Sequence, residues 1–517
     1  MPEFANEPLL ELRRADERAR CREALAALTP RLPLSVPVIV AGDRRHGADL
    51  VSPDPSHPAR KVALACRASA SDVDSAVSAA TAAQRAWGAI PVGARAAILR
   101  AAAAELAARR YELAALEVAE CAKPWPEAAA DVAEAIDFCR YYAHRAEVEA
   151  AGPELLSPPG ERNRQFRRPR GVCAVIAPWN FPIAIACGMT AAALVTGNAV
   201  CLKPAEQSPG CALAIFDAFA AAGLPPGVLN LLPGEGETGA ALVVHPGVST
   251  VAFTGSAAVG LEIMAAAARP APGQRHLTRV VAELGGKNAM IVDADADLDD
   301  VVPAALTSAF GFAGQKCSAT ARLLVHERVA ATLKVRLIGA LATLAVGPAE
   351  AFGTDVPAVI EADAQARIAA VVAAAAGEAH SGGPLPDDDG YYVPPTLVFD
   401  PPAGSHVTCE EIFGPVLSVE TVPSLAAACD RVDEQPQALT GAVFTRSPDT
   451  VAYVSARTPV GNLYVNRPST GAIVGRQPFG GNRLSGTGSK AGGPDYLAHF
   501  SDPVVVCEDL TRHGIPA

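Results

Sequence analysis

The sequence predicts an α/β protein built on a doubly wound parallel sheet, with a second α/β unit and a small β element set apart from both. Three observations carry that expectation. Between 171 and 292, short apolar runs alternate with helical stretches, the pattern of parallel strands joined by crossover helices. A similar rhythm starts near Asp297 and runs to about 470. An Arg-rich stretch at 151–170 and a strand-like tail at 503–507 stand outside both.

Bulk properties bound the rest. A chain of 517 residues exceeds what one core supports and divides into two or three domains. The net charge of −12 argues against a nucleic-acid partner, which would need a basic footprint. Twelve cysteines form no CxxC pair and no Cys/His cluster with zinc spacing, so no metal is expected. Scattered among apolar neighbours, they suit reduced thiols in a cytoplasmic protein. The N-terminus has acids in its first dozen residues and no apolar core, so a secretory signal is not expected. Pro182 to Leu202 approaches the ~20 residues that span a bilayer. Gly188, Gly197 and Asn198 interrupt it and Lys203 closes it, so it reads as a helix and a buried strand, with no membrane association. Lysine is scarce, seven residues against thirty-six arginines. Each lysine therefore asks what a compact ammonium does that a guanidinium would not. Lys203, Lys287, Lys316 and Lys490 all fall in polar or Gly-rich stretches.

In chain order, 6–29 reads as an amphipathic helix and 35–58 as a small hairpin. Ser71-Asp72-Val73-Asp74 resembles a helix N-cap, and Ala-rich helices fill 71–87, 92–120 and 126–150. The 151–170 stretch reads as a protruding hairpin. Strands are expected at 171–178, 198–204, 227–234, 250–255, 280–286 and 289–293, with helices at 182–196, 208–222, 236–243 and 256–268 between them. Beyond Asp297, helices at 299–313, 327–344 and 361–376 accompany strands at 321–325, 396–399 and 441–444.

Chemistry concentrates in Gly311-Phe312-Ala313-Gly314-Gln315-Lys316-Cys317-Ser318. A thiolate is the reactive form of cysteine, and its ordinary pKa of about 8.5 falls beside a cation such as Lys316. Alone, such a cysteine is more often an inert core residue. Gly234-Glu235-Gly236-Glu237-Thr238-Gly239 fits a dinucleotide pattern, yet its glutamates would repel phosphates and it is not the first βα turn. Thr254-Gly255-Ser256 is the better anion site, at a strand end that opens a helix, although Ser256 also suits a plain N-cap. Pro178-Trp179-Asn180-Phe181-Pro182 and Lys203-Pro204-Ala205-Glu206 end neighbouring strands, where ligands of open α/β sheets gather. Glu206 suits ribose hydroxyls and would disfavour a 2′-phosphate. Glu283, at another strand end, is either a general base or a salt-bridge partner.

PWNFP, KPAEQSP, FTGS, ELGGK, GFAGQKCSA and EEIFGP, in that order, resemble the aldehyde dehydrogenase superfamily across essentially the whole chain. KPW at 123–125, AEAIDF at 133–138, GMTAAALVTGN, PGQRH and GNLYVNRPSTGAIVGRQPFGGNRLSGTGSKAGGP resemble its 1-pyrroline-5-carboxylate (L-glutamate-γ-semialdehyde) dehydrogenase branch. The resemblance implies a Rossmann-type NAD domain at 1–150 and 171–290. It places the catalytic domain at 291–493, and an oligomerisation hairpin and tail at 151–170 and 494–517. It implies NAD-dependent oxidation of L-glutamate γ-semialdehyde to L-glutamate in proline degradation; another carboxylated semialdehyde, such as succinic semialdehyde, is the alternative.

The same resemblance implies the roles of the site residues. Cys317 is the nucleophile, Asn180 with the Cys317 N–H the oxyanion hole, and Glu283 the base for water. Lys203 and Glu206 hold the adenosine ribose. Thr254, Gly255, Ser256 and Gly260 line the cofactor site, and Glu411 with Phe413 meets the nicotinamide end. Ser318, Gly471 and Ala472 grip the substrate carboxylate, Phe181 and Phe479 wall its aliphatic part, and Glu127 meets its amino group. Lys316 either biases the thiol or touches the carboxylate. A homodimer or higher homo-oligomer, and a separate proline dehydrogenase as pathway partner, are the implied associations. The chain departs from the branch pattern at Ala129, where an acid is usual, and at Asn482-Arg483 after PFGG.

Overall fold

The computed structural model describes residues 4–511. Two seven-stranded sheets organise it. The first runs, edge to edge, through Arg279–Leu284, Val248–Gly255, Val172–Ile176, Ala199–Lys203, Leu229–Leu231, Val38–Val40 and Asp43–Arg45. Its strands from 172 to 284 are parallel, and the two N-terminal strands add an antiparallel edge. Val172–Ile176 and Ala199–Lys203 are buried at every residue. Helices cover both faces of a parallel sheet, so such strands read as continuous apolar runs. Strand order reverses between Val172–Ile176 and Val248–Gly255, which opens a crevice at their carboxyl ends.

The second sheet runs through Glu378–Ser381, Thr396–Phe399, Val416–Val422, Arg322–His326, Ala289–Val292, Thr440–Phe444 and Asn462–Val465. Only the Glu378–Ser381 edge is antiparallel. Ala289–Val292, expected beside Arg279–Leu284, lies here instead, between Arg322–His326 and Thr440–Phe444. The chain thus crosses between sheets over Gly285–Asn288, and Glu283 sits at the end of the last strand before the crossing.

Several expected elements change bounds. The first helix spans only Ala15–Leu28, and the expected 92–120 helix breaks at Arg109 into Val92–Ala108 and Arg110–Cys121. The segment expected as a hairpin at 151–170 supplies one strand, Glu161–Pro169, which pairs antiparallel along its length with the tail strand Ser501–Asp509. Arg170 meets Asp502 at 2.5 Å and Arg162 meets Glu508 at 3.2 Å, so part of the arginine cluster neutralises tail acids. The final residues of the 494–517 tail, from 512 on, lie outside the described residues.

Candidate active site

The nucleophile candidate sits on a strained turn. Helix Leu298–Phe310 ends in a tight turn, Gly311–Gly314, where Phe312 and Ala313 both adopt φ of 53°. Non-glycine residues held at positive φ cost of order 1–3 kcal/mol each and persist only where the surroundings enforce them. Here Phe312 is fully buried against Cys121, Ile360 and Trp179. Gly314, at φ +70°, could take no side chain, because a Cβ would meet the Gly414 carbonyl at 2.4 Å.

Cys317 follows and is partly open, whereas nine of the twelve cysteines, all but 317, 409 and 507, are buried. Asn288 clamps its peptide, donating from Nδ2 to the carbonyls of Cys317 at 2.6 Å and Ala319 at 2.9 Å. Asn180, 5 % exposed, donates from Nδ2 to the Gln315 carbonyl at 3.0 Å. That bond uses one of its two amide hydrogens, so a second remains for a ligand. Burial first, then the charges of Glu411 and Glu283, push the Cys317 thiol up to about 12.

The expected thiol-lowering effect of Lys316 is therefore not met. Its side chain is 3 % exposed and its Nζ is engaged by Glu127 at 2.8 Å. Burial alone would raise the Glu127 carboxyl, but the Lys316 charge and hydrogen bond outweigh it and hold the group below its usual range. Glu127 and Lys316, expected separately around a substrate, form a pair with each other beside Gly311.

Glu283 is 8 % exposed and held at both oxygens, by the Ser489 hydroxyl at 2.7 Å and the Gly481 N–H at 3.0 Å. Burial raises its carboxyl to about 8, against the lowering pull of those two bonds and of Lys490. Glu411 accepts the Gly286 N–H at 3.2 Å, and burial lifts it to about 7. A Cβ at Gly285 would lie 1.9 Å from the Glu411 carboxylate, so glycine lets the crossing chain and Glu411 approach. Phe413 meets Trp179 edge-on at 5.7 Å.

The 467–472 loop, expected at the substrate side, is tied to the same turn. Ser469 donates to the Ser318 carbonyl at 3.1 Å and shares a 2.7 Å bond with Thr320, and Thr440 reaches the Ser318 carbonyl at 3.2 Å. Gly471 and Ala472 follow Ser469 closely; Gly471 adopts φ +82° beside open space. Phe181 and Phe479 are both partly open, and Phe479 bridges to Ala491.

At the first sheet's crevice, Lys203 is buried and donates to Glu206 at 3.3 Å. Ser256 caps helix Ala257–Ala267 by accepting the Val259 N–H at 3.3 Å, and Thr254 and Gly255 are partly open before it. Gly260 lies in that helix against Leu284, where any Cβ would meet Leu284 at 2.3 Å. It serves helix–strand packing. The Gly234–Gly239 stretch is the start of a helix rather than a tight turn: Gly236–Val244 is helical from its first residue, and Glu235 ahead of it pairs with Arg67 at 2.8 Å. A helix N-terminus, a buried ammonium and a ribose-suited carboxylate at a switch point fit a dinucleotide.

Sequence reasoning missed the supports: Lys123, Asn288, Ser469 and Ser489. Lysine scarcity could have flagged Lys123; the others are ordinary polar residues whose partners lie far along the chain. A sulfur nucleophile, an adjacent amide donor and a carboxyl group of raised pKa form a set suited to covalent acyl chemistry.

The sequence pattern of the aldehyde dehydrogenase family matches residues 40–506, and the chain belongs to that family. Within it, the chain is 40 % identical over 499 residues to the 1-pyrroline-5-carboxylate dehydrogenase of Bacillus pumilus (strain SAFR-032), covering 96 % of this chain and 97 % of that one. The crystal structure of 1-pyrroline-5-carboxylate dehydrogenase from Thermus with bound NAD superposes with a TM-score of 0.96 at 40 % identity, covering 98 % and 99 %. Proline utilization A from Bdellovibrio bacteriovorus superposes with a TM-score of 0.96 at 41 % identity; the match covers all of this chain but 54 % of that one. Among the described residues no helix is long and apolar enough to cross a membrane.

Proposed function

We propose that the chain oxidises L-glutamate γ-semialdehyde, the open form of 1-pyrroline-5-carboxylate, to L-glutamate with NAD as acceptor. The observation that carries this reading is the fastening of the 467–472 loop to the Cys317 turn through Ser469 and Ser318. A loop held there would offer the Gly471 and Ala472 N–H groups to a substrate carboxylate. The full-length likeness to relatives of that name supports the same substrate.

In this reading the Cys317 sulfur adds to the aldehyde carbon, and the thiol proton leaves to a base. The second Asn180 amide hydrogen and the Cys317 N–H stabilise the charge that develops on the carbonyl oxygen. Lys203, Glu206 and the Ser256 helix N-terminus would hold the dinucleotide's adenosine end, and Glu411 its nicotinamide ribose. When bound, NAD supplies the hydride acceptor that turns the adduct into a thioester. Glu283 as carboxylate then takes a proton from water, whose oxygen displaces sulfur and releases the acid. A deacylating carboxylate favours hydrolysis over transfer of the acyl group to coenzyme A.

A separate proline-oxidising enzyme is the class of reaction that supplies this substrate, as the likeness to proline utilization A suggests. The Glu161–Pro169 and Ser501–Asp509 ribbon pairs with no other strand among the described residues, which leaves it suited to a second copy and supports a homo-oligomer; the scattered free cysteines suit a cytoplasmic location. Steady-state kinetics on glutamate semialdehyde and succinic semialdehyde, each with NAD and NADP, test the reading. The highest kcat/KM is expected for the first substrate with NAD; preference for succinic semialdehyde would overturn the assignment.

A further inference from the structure

Behind Asn180 lies a group of charges that the chemistry does not use. Lys123, Glu117 and Asp131 are 0 %, 0 % and 1 % exposed. Lys123 Nζ stands 3.5 Å from Glu117 and 3.4 Å from Asp131, and neither Glu117 oxygen nor Asp131 Oδ1 has a hydrogen-bond partner among the described residues. A buried ion cluster is weak evidence for stability, because apolar residues of similar volume usually serve as well. Its contacts point elsewhere. Lys123 donates to the Asn180 backbone carbonyl at 2.9 Å. The same ammonium sits 3.8 Å from the Phe181 ring centroid and 5.5 Å from that of Phe312, the strained residue ahead of Cys317. Asp131 accepts the N–H groups of Ile183 at 3.2 Å and Ala184 at 3.4 Å, where the Asn180 loop enters its helix.

We infer that Lys123 is a positioning residue: anchored by Glu117 and Asp131, it fixes the Asn180 loop against the Cys317 turn and so sets the geometry of the oxyanion hole. This rests on the oxyanion role proposed for Asn180. A lysine suits the place because one compact ammonium reaches a carbonyl, two carboxylates and two ring faces, whereas a planar guanidinium would need a wider space. Burial works against its charge, but Asp131 first and then Glu117 outweigh that and raise it above the usual lysine value.

Lys123→Met removes the charge at similar length; Glu117→Met/Lys123→Met also removes one of the two acids left without it, leaving Asp131 on the Ile183 and Ala184 N–H groups, and keeps the protein testable if the single variant fails to fold. NAD affinity and thermal unfolding report folding. Two Cys317 reactions are then compared: hydrolysis of p-nitrophenyl acetate, which needs the oxyanion hole, and alkylation by iodoacetamide, which does not. One oxyanion donor is typically worth 10²–10³ in rate, so its displacement is expected to slow ester hydrolysis and dehydrogenase kcat at least ~10-fold. Alkylation should stay within ~2-fold. Wild-type ester hydrolysis in a folded variant, an equal fall in both reactions, or failure of both variants to fold would each overturn the inference. Asn180→Ala separates its premise: full turnover there would remove the oxyanion role itself, whereas a loss there with none at Lys123 removes only the positioning.

Discussion

Ser489→Ala perturbs the proposed base without touching the nucleophile. The Ser489 hydroxyl donates to Glu283 at 2.7 Å inside a buried pocket, and this bond is foremost among the influences that pull Glu283 down toward its value of about 8. A hydrogen bond to a charged group contributes about 1.5–3 kcal/mol, and 1.36 kcal/mol corresponds to one pKa unit, so its loss raises Glu283 by about 1–2 units. At pH 7.5 the ionised fraction would fall from about one in four to between about one in thirty and one in three hundred. Because a base works deprotonated, deacylation slows about 8- to 80-fold at that pH and recovers as pH rises toward about 9–10. Stopped-flow NADH formation reads this directly. The variant should release a burst of one NADH per Cys317 followed by a slow phase, and the rising, acid-side limb of the slow phase should move upward in pH. A folded variant whose limb stays where the wild type has it would remove Glu283 from the role of base.

Other perturbations probe separate parts of the site. Cys317→Ser should lose at least ~10³-fold in kcat while binding NAD as before, measured by fluorescence titration, since an alcohol is a far weaker nucleophile in this unassisted setting. Glu206→Gln removes a negative charge beside the proposed ribose and should raise the NADP-to-NAD ratio of kcat/KM about tenfold, worth about 1.4 kcal/mol. Glu127→Ala strands the nearly buried Lys316 ammonium and should cost about 2–3 kcal/mol by urea unfolding, less than a fully buried pair because Glu127 keeps some exposure. The folded Glu127 carboxyl lies below its ordinary 4.5, so that stability difference is complete above 4.5 and closes as pH falls through the lower folded value.

The alternation of strands and helices was legible because parallel strands buried on both faces leave unbroken apolar runs, as in Val172–Ile176. The site's polar strand ends were legible for a related reason: Asn180, Glu206, Ser256 and Glu283 all stand where an apolar run stops. What stayed hidden is pairing at long range. Nothing local to Ala289–Val292 states that it joins Arg322–His326 rather than Arg279–Leu284, since either neighbour would bury it equally. Lys316 next to Cys317 suggests an activated thiol, but its partner is Glu127, 189 residues earlier, and that bond decides where the ammonium goes. The tail strand likewise finds Glu161–Pro169 across more than three hundred residues, a register no short window contains.

The raised pKa values impose an order on the chemistry. The charges of Glu283 and Glu411 both push the Cys317 thiol upward, so sulfur ionises more readily when these acids are neutral. Glu283 near 8 and Glu411 near 7 are substantially protonated around neutral pH, the state that favours attack by sulfur. Hydrolysis asks the opposite of Glu283, which as the proposed base must give up its proton before it takes one from water. Glu283 is lifted by burial rather than by the thiol, so its ionisation follows pH whether or not Cys317 carries an acyl group. Ser489 and Gly481 hold Glu283 in place through both states, and deacylation is expected to rise with pH and level off above about 8.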